Sequence, residues 1–535
     1  MTMSNQLRGY CAAVLLLGAD IQAATWYVKT AGNDGADGTS WATAKRTIQA
    51  AVDATADGDT VLVGDGVYAT GSRVTPEGTS SNRLVITRKI LVKSVNGPEV
   101  TRIQGATGSA PLRCVYMSSG TLSGFMLTNG ATPSTAAYPD NRGGGVYAKY
   151  NWNAVLTNCV ITKCTATNGG GCCGGDLRGC KVISCQAQCG GGACGSWLTD
   201  CTLESNNALL SGGGAYLVDL ERCLVRGNSS DGDGGGCSMG SCDDCVFYSN
   251  TAGRWGGGIA GGTAENCFFM LNGAPEGGGS CYSTLRNCTL VLNNASVTGG
   301  GSFQDTLQNC IVYYNNWMRN DDNHSGSTFT YSCTTPAAPG IGNIASDPQF
   351  EGVMLGLCKL MPASPCINRG DNSVLATLVD LAGNPRIKFG TVDMGAYEYQ
   401  LPTGYWKWIE AVTNGLTNHT DCAAGDGYPN LLKYATGGSP TNSDHQARVT
   451  CGMTNNQFGI QFGRNKKAYD TTIVVEGTDS LTNTGSWQPV AVNFNGSWGL
   501  ATNVTESGAG DVALVTVRDT AAVPKRFLRL RVAQP

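Results

Sequence analysis

A Gly-Gly-Gly triplet recurs through the middle of this chain. It begins at Gly143, Gly169, Gly190, Gly212, Gly234, Gly256, Gly277 and Gly299, in steps of 26, 21, 22, 22, 22, 21 and 22 residues. A fixed period in this range is the signature of a solenoid. A column of cysteines keeps the same beat: Cys159, Cys180, Cys201, Cys223, Cys245, Cys267, Cys288 and Cys310. Two residues after each stands an apolar side chain, from Ile161 and Val182 to Leu290 and Val312. Five residues after each stands Cys164, Cys185, Asn206, Asn228, Asn250, Asn272, Asn293 or Asn315. The period of two around each cysteine marks a strand with the thiol and the apolar residue on one face. A coil of about 22 residues has no room for a helical crossover. The predicted fold class is therefore all-β: coils stacked in register, with parallel strands about 4.8 Å apart. This is a right-handed parallel β-helix, its hand following the general rule for parallel crossovers. The glycine triplet marks backbone with no space for a Cβ, or with positive φ. Asparagine tolerates the left-handed conformation and can bond its own copies above and below.

The 24 cysteines become 23 once Cys11 is removed with a leader (24 − 1). The ladder thiols read as small buried hydrophobes. Stacked neighbours hold their Cβ atoms near ~4.8 Å, beyond the ~3.8 Å that a disulfide prefers. Cys172, Cys173, Cys189, Cys194, Cys237, Cys242 and Cys281 lie off the ladder and are the candidates for disulfides, with at least one thiol left free by the odd total. A zinc site at Cys242-x-x-Cys245 lacks a second pair, and Cys245 belongs to the ladder.

Arg8, the apolar run from Tyr10 to Ala19, and small residues at Ala23 and Ala24 read as a secretory signal over 1–24. The expected location is secreted or cell-surface. Charged residues make up only 14% and the net charge is −4, with no basic stripe, so nucleic acid is not an expected partner. No later segment has the roughly 20 apolar residues of a membrane span, and a monomer is expected. Thr43 to Thr55 places Ala44, Ile48, Ala51 and Val52 on one helical face, as a cap over the first coil requires. The domains expected are 25–70 for cap and first coil, 71–345 for the β-helix, 346–400 for a closing segment, 401–446 for a linker and 447–535 for a β-sandwich.

The run Tyr27-Val28, Gly38-Thr39-Ser40-Trp41-Ala42-Thr43-Ala44, Thr47-Ile48-Gln49, Gly58-Asp59-Thr60-Val61 and Gly66-Val67-Tyr68 resembles the N-terminal start of bacterial pectin-lyase-like β-helix proteins. Phe247-x-x-Asn250 and Phe269-x-x-Asn272 are similar to repeats of chlamydial polymorphic outer-membrane proteins. Asp347-Pro348-Gln349-Phe350, Ser364 to Gly370, Asp380 to Arg386 and Asp393 to Glu398 look like the "choice-of-anchor Q" segment that closes such helices. The resemblance covers roughly 25–400 and implies architecture; the superfamily mixes lyases, hydrolases and non-catalytic surface proteins. Gly425 to Ala435 resembles the calcium-loop-plus-helix linkers of exported bacterial proteins. Setting Asp426-Gly427 at loop positions five and six puts Cys422 at one, Ala424 at three and Lys433 at twelve, so the Asp ligands and bidentate Glu of a calcium loop are missing. A structural linker is the favoured reading, with a calcium loop as its alternative.

Three G-x-G-x-x-G matches, at Gly169, Gly190 and Gly256, fall on the repeat beat, and none opens a helix, so no dinucleotide site is expected. Carboxylates gather in one coil at Asp231, Asp233, Asp243 and Asp244, and Arg254 follows one coil on. Paired acids serve glycoside hydrolysis; the resemblance to β-helix lyases implies a basic residue that takes a sugar proton, a role Arg254 would fill. Asp beside Gly is also ordinary at a turn. His324 lies in a polar loop beside Asp321 and Asp322, where a solvated loop is the plainer reading. Tyr147, Trp197, Tyr216 and Trp255 are the first candidates for an outer aromatic row; Trp487 and Trp498 read as core. The expectation is a non-catalytic, adhesin-like protein binding extracellular polysaccharide or cell-surface components. The alternative is a polysaccharide lyase or glycoside hydrolase acting on acidic polysaccharide.

Overall fold

The computed structural model describes residues 23–134, 137–149, 153–316, 322–353, 356–375, 377–388 and 390–400, and beyond these 404–409, 412, 416, 418–443, 449–454, 457–468, 471–482, 486–494, 498, 503–508, 510–520 and 526–533. The expected secretory signal, up to residue 22, lies outside the described residues. The chain divides into two units, 1–399 and 400–535.

The first unit is a parallel β-helix. A representative coil runs through Ala193–Cys194, Trp197–Thr199, Thr202–Glu204 and Asn207–Ser211. Stacking these four segments generates sheets C, A, B and D, of 12, 13, 12 and 6 strands. Register is kept from coil to coil, as in Leu177↔Leu198↔Leu220↔Cys242 on sheet A and Val182↔Leu203↔Val225↔Phe247↔Phe269 on sheet B. These inward columns form one continuous buried core, in which Phe247 and Phe269 stack at 4.7 Å.

Each triplet uses its glycines in two ways. The first takes positive φ, as at Gly190 (+65°) and Gly212 (+69°). The second has no room: a Cβ on Gly191 would lie 2.3 Å from the Asn207 carbonyl and 2.5 Å from that of Gly213. The ladder asparagines are not themselves left-handed. The strain falls on the residue just before each, including Ser205, Ser249, Leu271 and Leu292, with φ between 54° and 58°. Every cysteine among the described residues is a free thiol, including the off-ladder set named above.

At the N-terminal end, Thr47 caps the helix Ile48–Ala54 by accepting from Ala50 N–H, and Ile48, Ala51 and Val52 close the core. The closing segment does more than end the stack. It also lies along the outer face of sheet B, where Phe268, Met270, Val291 and Ile311 pack against Phe350, Cys358, Leu360, Cys366 and Met394. Equivalent outward positions in earlier coils hold Lys181, Ile183, Thr202, Glu204, Leu224 and Arg226, which are exposed or half-buried.

The acidic motif residues of this segment lock its loops. Asp380 accepts from the N–H groups of Ala382, Asn384 and Glu398, and Asp393 from those of Asn368 and Tyr399. Glu398 accepts from Lys388 and Asp393 N–H, while buried Arg386 donates to the Gly395 carbonyl.

The second unit holds the helices Gly404–Ile409 and Asn430–Thr436 and two antiparallel sheets of four and three strands. Ile460, Phe462, Val515 and Val517 from one sheet meet Ile473, Val475 and Ala491 from the other, so the predicted β-sandwich is present. No helix among the described residues is long and apolar enough to cross a membrane.

Candidate functional site

The five candidate catalytic residues occupy two different faces. Asp231 and Asp233 stand where sheet D turns into the glycine triplet, and Arg254 follows one coil on. Arg254 grips Asp233 with two parallel bonds, Nε to Oδ1 at 2.7 Å and Nη2 to Oδ2 at 2.6 Å. Asp243 instead sits on the outer face of sheet A, in register between Glu221 and Glu265. Asp244 forms the left-handed corner from sheet A to sheet B, and its Oδ1 accepts from Asn266 Nδ2 at 2.5 Å. One coil in sequence thus puts its carboxylates on two separate surfaces.

An aromatic edge gathers beside the first group. Trp255 donates through Nε1 to Glu276 Oε2 at 2.9 Å, and the Arg254 guanidinium lies 3.9 Å from its ring centroid. Tyr282 meets Trp255 edge-on at 5.3 Å, and Phe303 meets Tyr282 at 5.8 Å. Tyr282 is exposed, whereas Trp255 and Phe303 are half-buried. Of the aromatic residues expected in a row, only Trp255 joins this edge. Tyr147 is buried against Tyr116, Tyr216 packs on the same small cluster, and Trp197 is exposed on sheet A.

The chemistry open to each group follows from its partners. Arg254 is held protonated, its pKa raised by the hydrogen bonds and charge of Asp233. That is the wrong direction for a group that must take a proton. Asp243 is different: loss of water around its carboxyl, then the charges of Glu265, Asp244 and Glu221, push it up to about 6. His324 contacts the Pro336 carbonyl at 3.0 Å and packs edge-on to Phe329 at the end of the stack. Trp498 packs on Phe462 and donates to Glu506, and the Arg529 guanidinium covers Trp487 at 4.1 Å.

The ladders are the most complete constellation. Each ladder asparagine accepts from the coil before it and donates two ways. Asn250 Oδ1 accepts from both N–H and Nδ2–H of Asn228, at 3.0 Å each, and Nδ2 donates to the Val225 carbonyl and to Asn272 Oδ1, at 2.9 Å each. The cysteines repeat this plan more weakly. Cys245 Sγ accepts from Cys223 N–H at 3.4 Å and donates to the Asp243 carbonyl at 3.1 Å. At the far end Ser332 takes the same place, accepting from Cys310 N–H at 3.0 Å. Among the described residues no group of three His, Cys, Asp or Glu side chains is placed to hold a metal ion.

No family model matches the chain, and no curated protein matches it. Among solved structures, the pectate lyase Pel9A aligns at 14% identity and a TM-score of 0.39, covering 71% of this chain and 98% of the lyase. XylC in complex with xylose aligns at 9% identity and a TM-score of 0.41, covering 70% and 99%. A rhamnogalacturonan lyase aligns at 11% identity and 0.30, covering 62% and 92%. The fold assignment rests on the strand pairing described above, and the chemistry on this chain's own side chains.

Proposed function

We propose that this chain is an exported, non-catalytic β-helix protein that binds extracellular polysaccharide or cell-surface components in the manner of an adhesin. The Trp255–Tyr282–Phe303 edge is its contact surface. The observation that carries this reading is the bidentate Arg254–Asp233 pair. It holds the Arg254 guanidinium protonated and its donors engaged, while the rings beside it offer apolar faces and edges of the kind that sugar C–H groups pack on. Export rests on the signal-like N-terminal sequence. The test is a panel of neutral and acidic polysaccharides run by affinity electrophoresis against the wild type and Tyr282→Ala. Retardation by at least one glycan, weakened in the variant, is expected; equal retardation of both would refute the contact surface.

A second reading, a glycoside hydrolase or lyase, is favoured by Asp243. A carboxyl poised near 6 beside a second carboxylate about 5 Å away suits a general acid. Release of new reducing ends or unsaturated products, abolished by Asp243→Asn, would establish it in place of the first.

A further inference from the structure

The linker's likeness to a calcium loop invites a divalent cation, and the side chains present do not fit one. Lys433 stands at the twelfth position, where such a loop needs a bidentate carboxylate. It belongs to the helix Asn430–Thr436 and has no exposed surface. Its Nζ donates to Asp426 Oδ2 at 2.6 Å and to the Asn442 carbonyl at 2.6 Å. Both acceptors are oxygens of the kind that a hard cation takes.

We infer that the Lys433 ammonium is a built-in replacement for a bound divalent cation, so that this loop closes without metal. Three further observations agree. Asp426, itself nearly buried, keeps its carboxyl below the usual range although burial opposes this, because Lys433 and the Tyr428 N–H bond it. The first and third loop positions, Cys422 and Ala424, bring no carboxylate. The loop is instead tied by its own amides: Asn418 N–H donates to Asp421 Oδ2 at 2.8 Å, Ala423 N–H to Asn430 Oδ1 at 3.1 Å, and Asn430 Nδ2 to the Leu416 and Asn418 carbonyls. A divalent ion brought to Asp426 would face the ammonium at contact distance, a like-charge encounter in a site with little water to screen it.

The consequence is a C-terminal unit whose helix Asn430–Thr436 is ordered at any calcium level. The test is hydrogen–deuterium exchange of peptides spanning 418–443 in the full chain, with calcium and with chelator. Equal protection in the two conditions is expected; protection that rises with calcium overturns the inference. Lys433→Met should lose protection in this segment by tenfold or more in exchange rate, whereas unchanged protection would also overturn it. Should Lys433→Met fail to fold, Lys433→Arg, which keeps a cation, serves as the second variant. Arg must retain calcium-insensitive protection, and a calcium requirement in that variant would count against the inference.

Discussion

Two parts of the first unit bury polar side chains, and they do so with opposite chemistry. The repeating columns of the coils use neutral groups, Asn and Cys, at the same corner of each turn, and the buried charges of the stack, such as Arg113 and Asp305, occur singly. The closing segment uses ionisable groups, Asp380, Asp393, Glu398 and Arg386, each occurring once. The stacking explains the difference. Identical side chains in adjacent coils lie about 4.8 Å apart, so a buried column of carboxylates would repel itself at every step. An amide or a thiol both donates and accepts, and can bond its own copy. On sheet A, Asp243 stacks between Glu221 and Glu265, and burial first, then the neighbouring charges of Glu265, Asp244 and Glu221, push it up to about 6. The non-repeating loops of the closing segment face no such limit, and their carboxylates cap backbone N–H groups instead.

This contrast predicts a split response to pH, the largest effect expected. Burial, then Asp393, pushes Glu398 up to about 9, and burial pushes Asp393 up to about 7. Both folded values lie above the ordinary carboxylate range. The stability they contribute is therefore fully present below about pH 4 and is lost as pH rises through about 7 to 9. Exchange measured on peptides from 366–399, corrected for the intrinsic rate, should accelerate across that window while peptides from 201–230, clear of Asp243 and of the buried Asp305 that is itself pushed up to about 7, do not. Parallel loss in both regions would erase the distinction.

Putting a charge into the neutral column tests it from the other side. Asn250→Asp keeps the shape but loses the donor to Val225 and places a carboxylate beside Asn272 Oδ1. A buried uncompensated charge costs on the order of 4 kcal/mol. Denaturant melts should show that loss at neutral pH and a partial recovery in acid, where the side chain is protonated. A variant as stable as the wild type would mean that the column tolerates charge.

Much of this architecture was legible in the residues. The coil length, the Cys and Asn columns and the capping helix follow from spacing alone, because stacking forces the same offset in every turn. Two features escaped. The rings of the exposed edge sit at different offsets, Trp255 one residue before its triplet begins, Tyr282 five after the start of the next and Phe303 four after the one beyond, so no period joins them. The fold-back of the closing segment was hidden because Phe268-Phe269-Met270 and Ile311-Val312-Tyr313 read as ordinary buried strands. In them, neighbours face opposite sides, and only the three-dimensional path shows that both are covered. The candidate acids misled for the same reason in reverse: nearness within a coil is not nearness in space when the coil turns four times.

The cysteine corner should respond least, and it shows what the thiols contribute. Cys245→Ala removes the sulfur that accepts from Cys223 N–H and leaves a small void, a loss of about 1–2 kcal/mol. Cys245→Ser should cost less than about 1 kcal/mol, since the hydroxyl restores acceptor and donor together. The chain already makes this exchange at Ser332, which accepts from Cys310 and donates to the Thr330 carbonyl at 2.8 Å. Chemical denaturation of the two variants side by side decides the matter. If Ser proves as harmful as Ala, the thiol acts through its size and softness in the dry column, and the likeness between the cysteine and asparagine corners is one of position only.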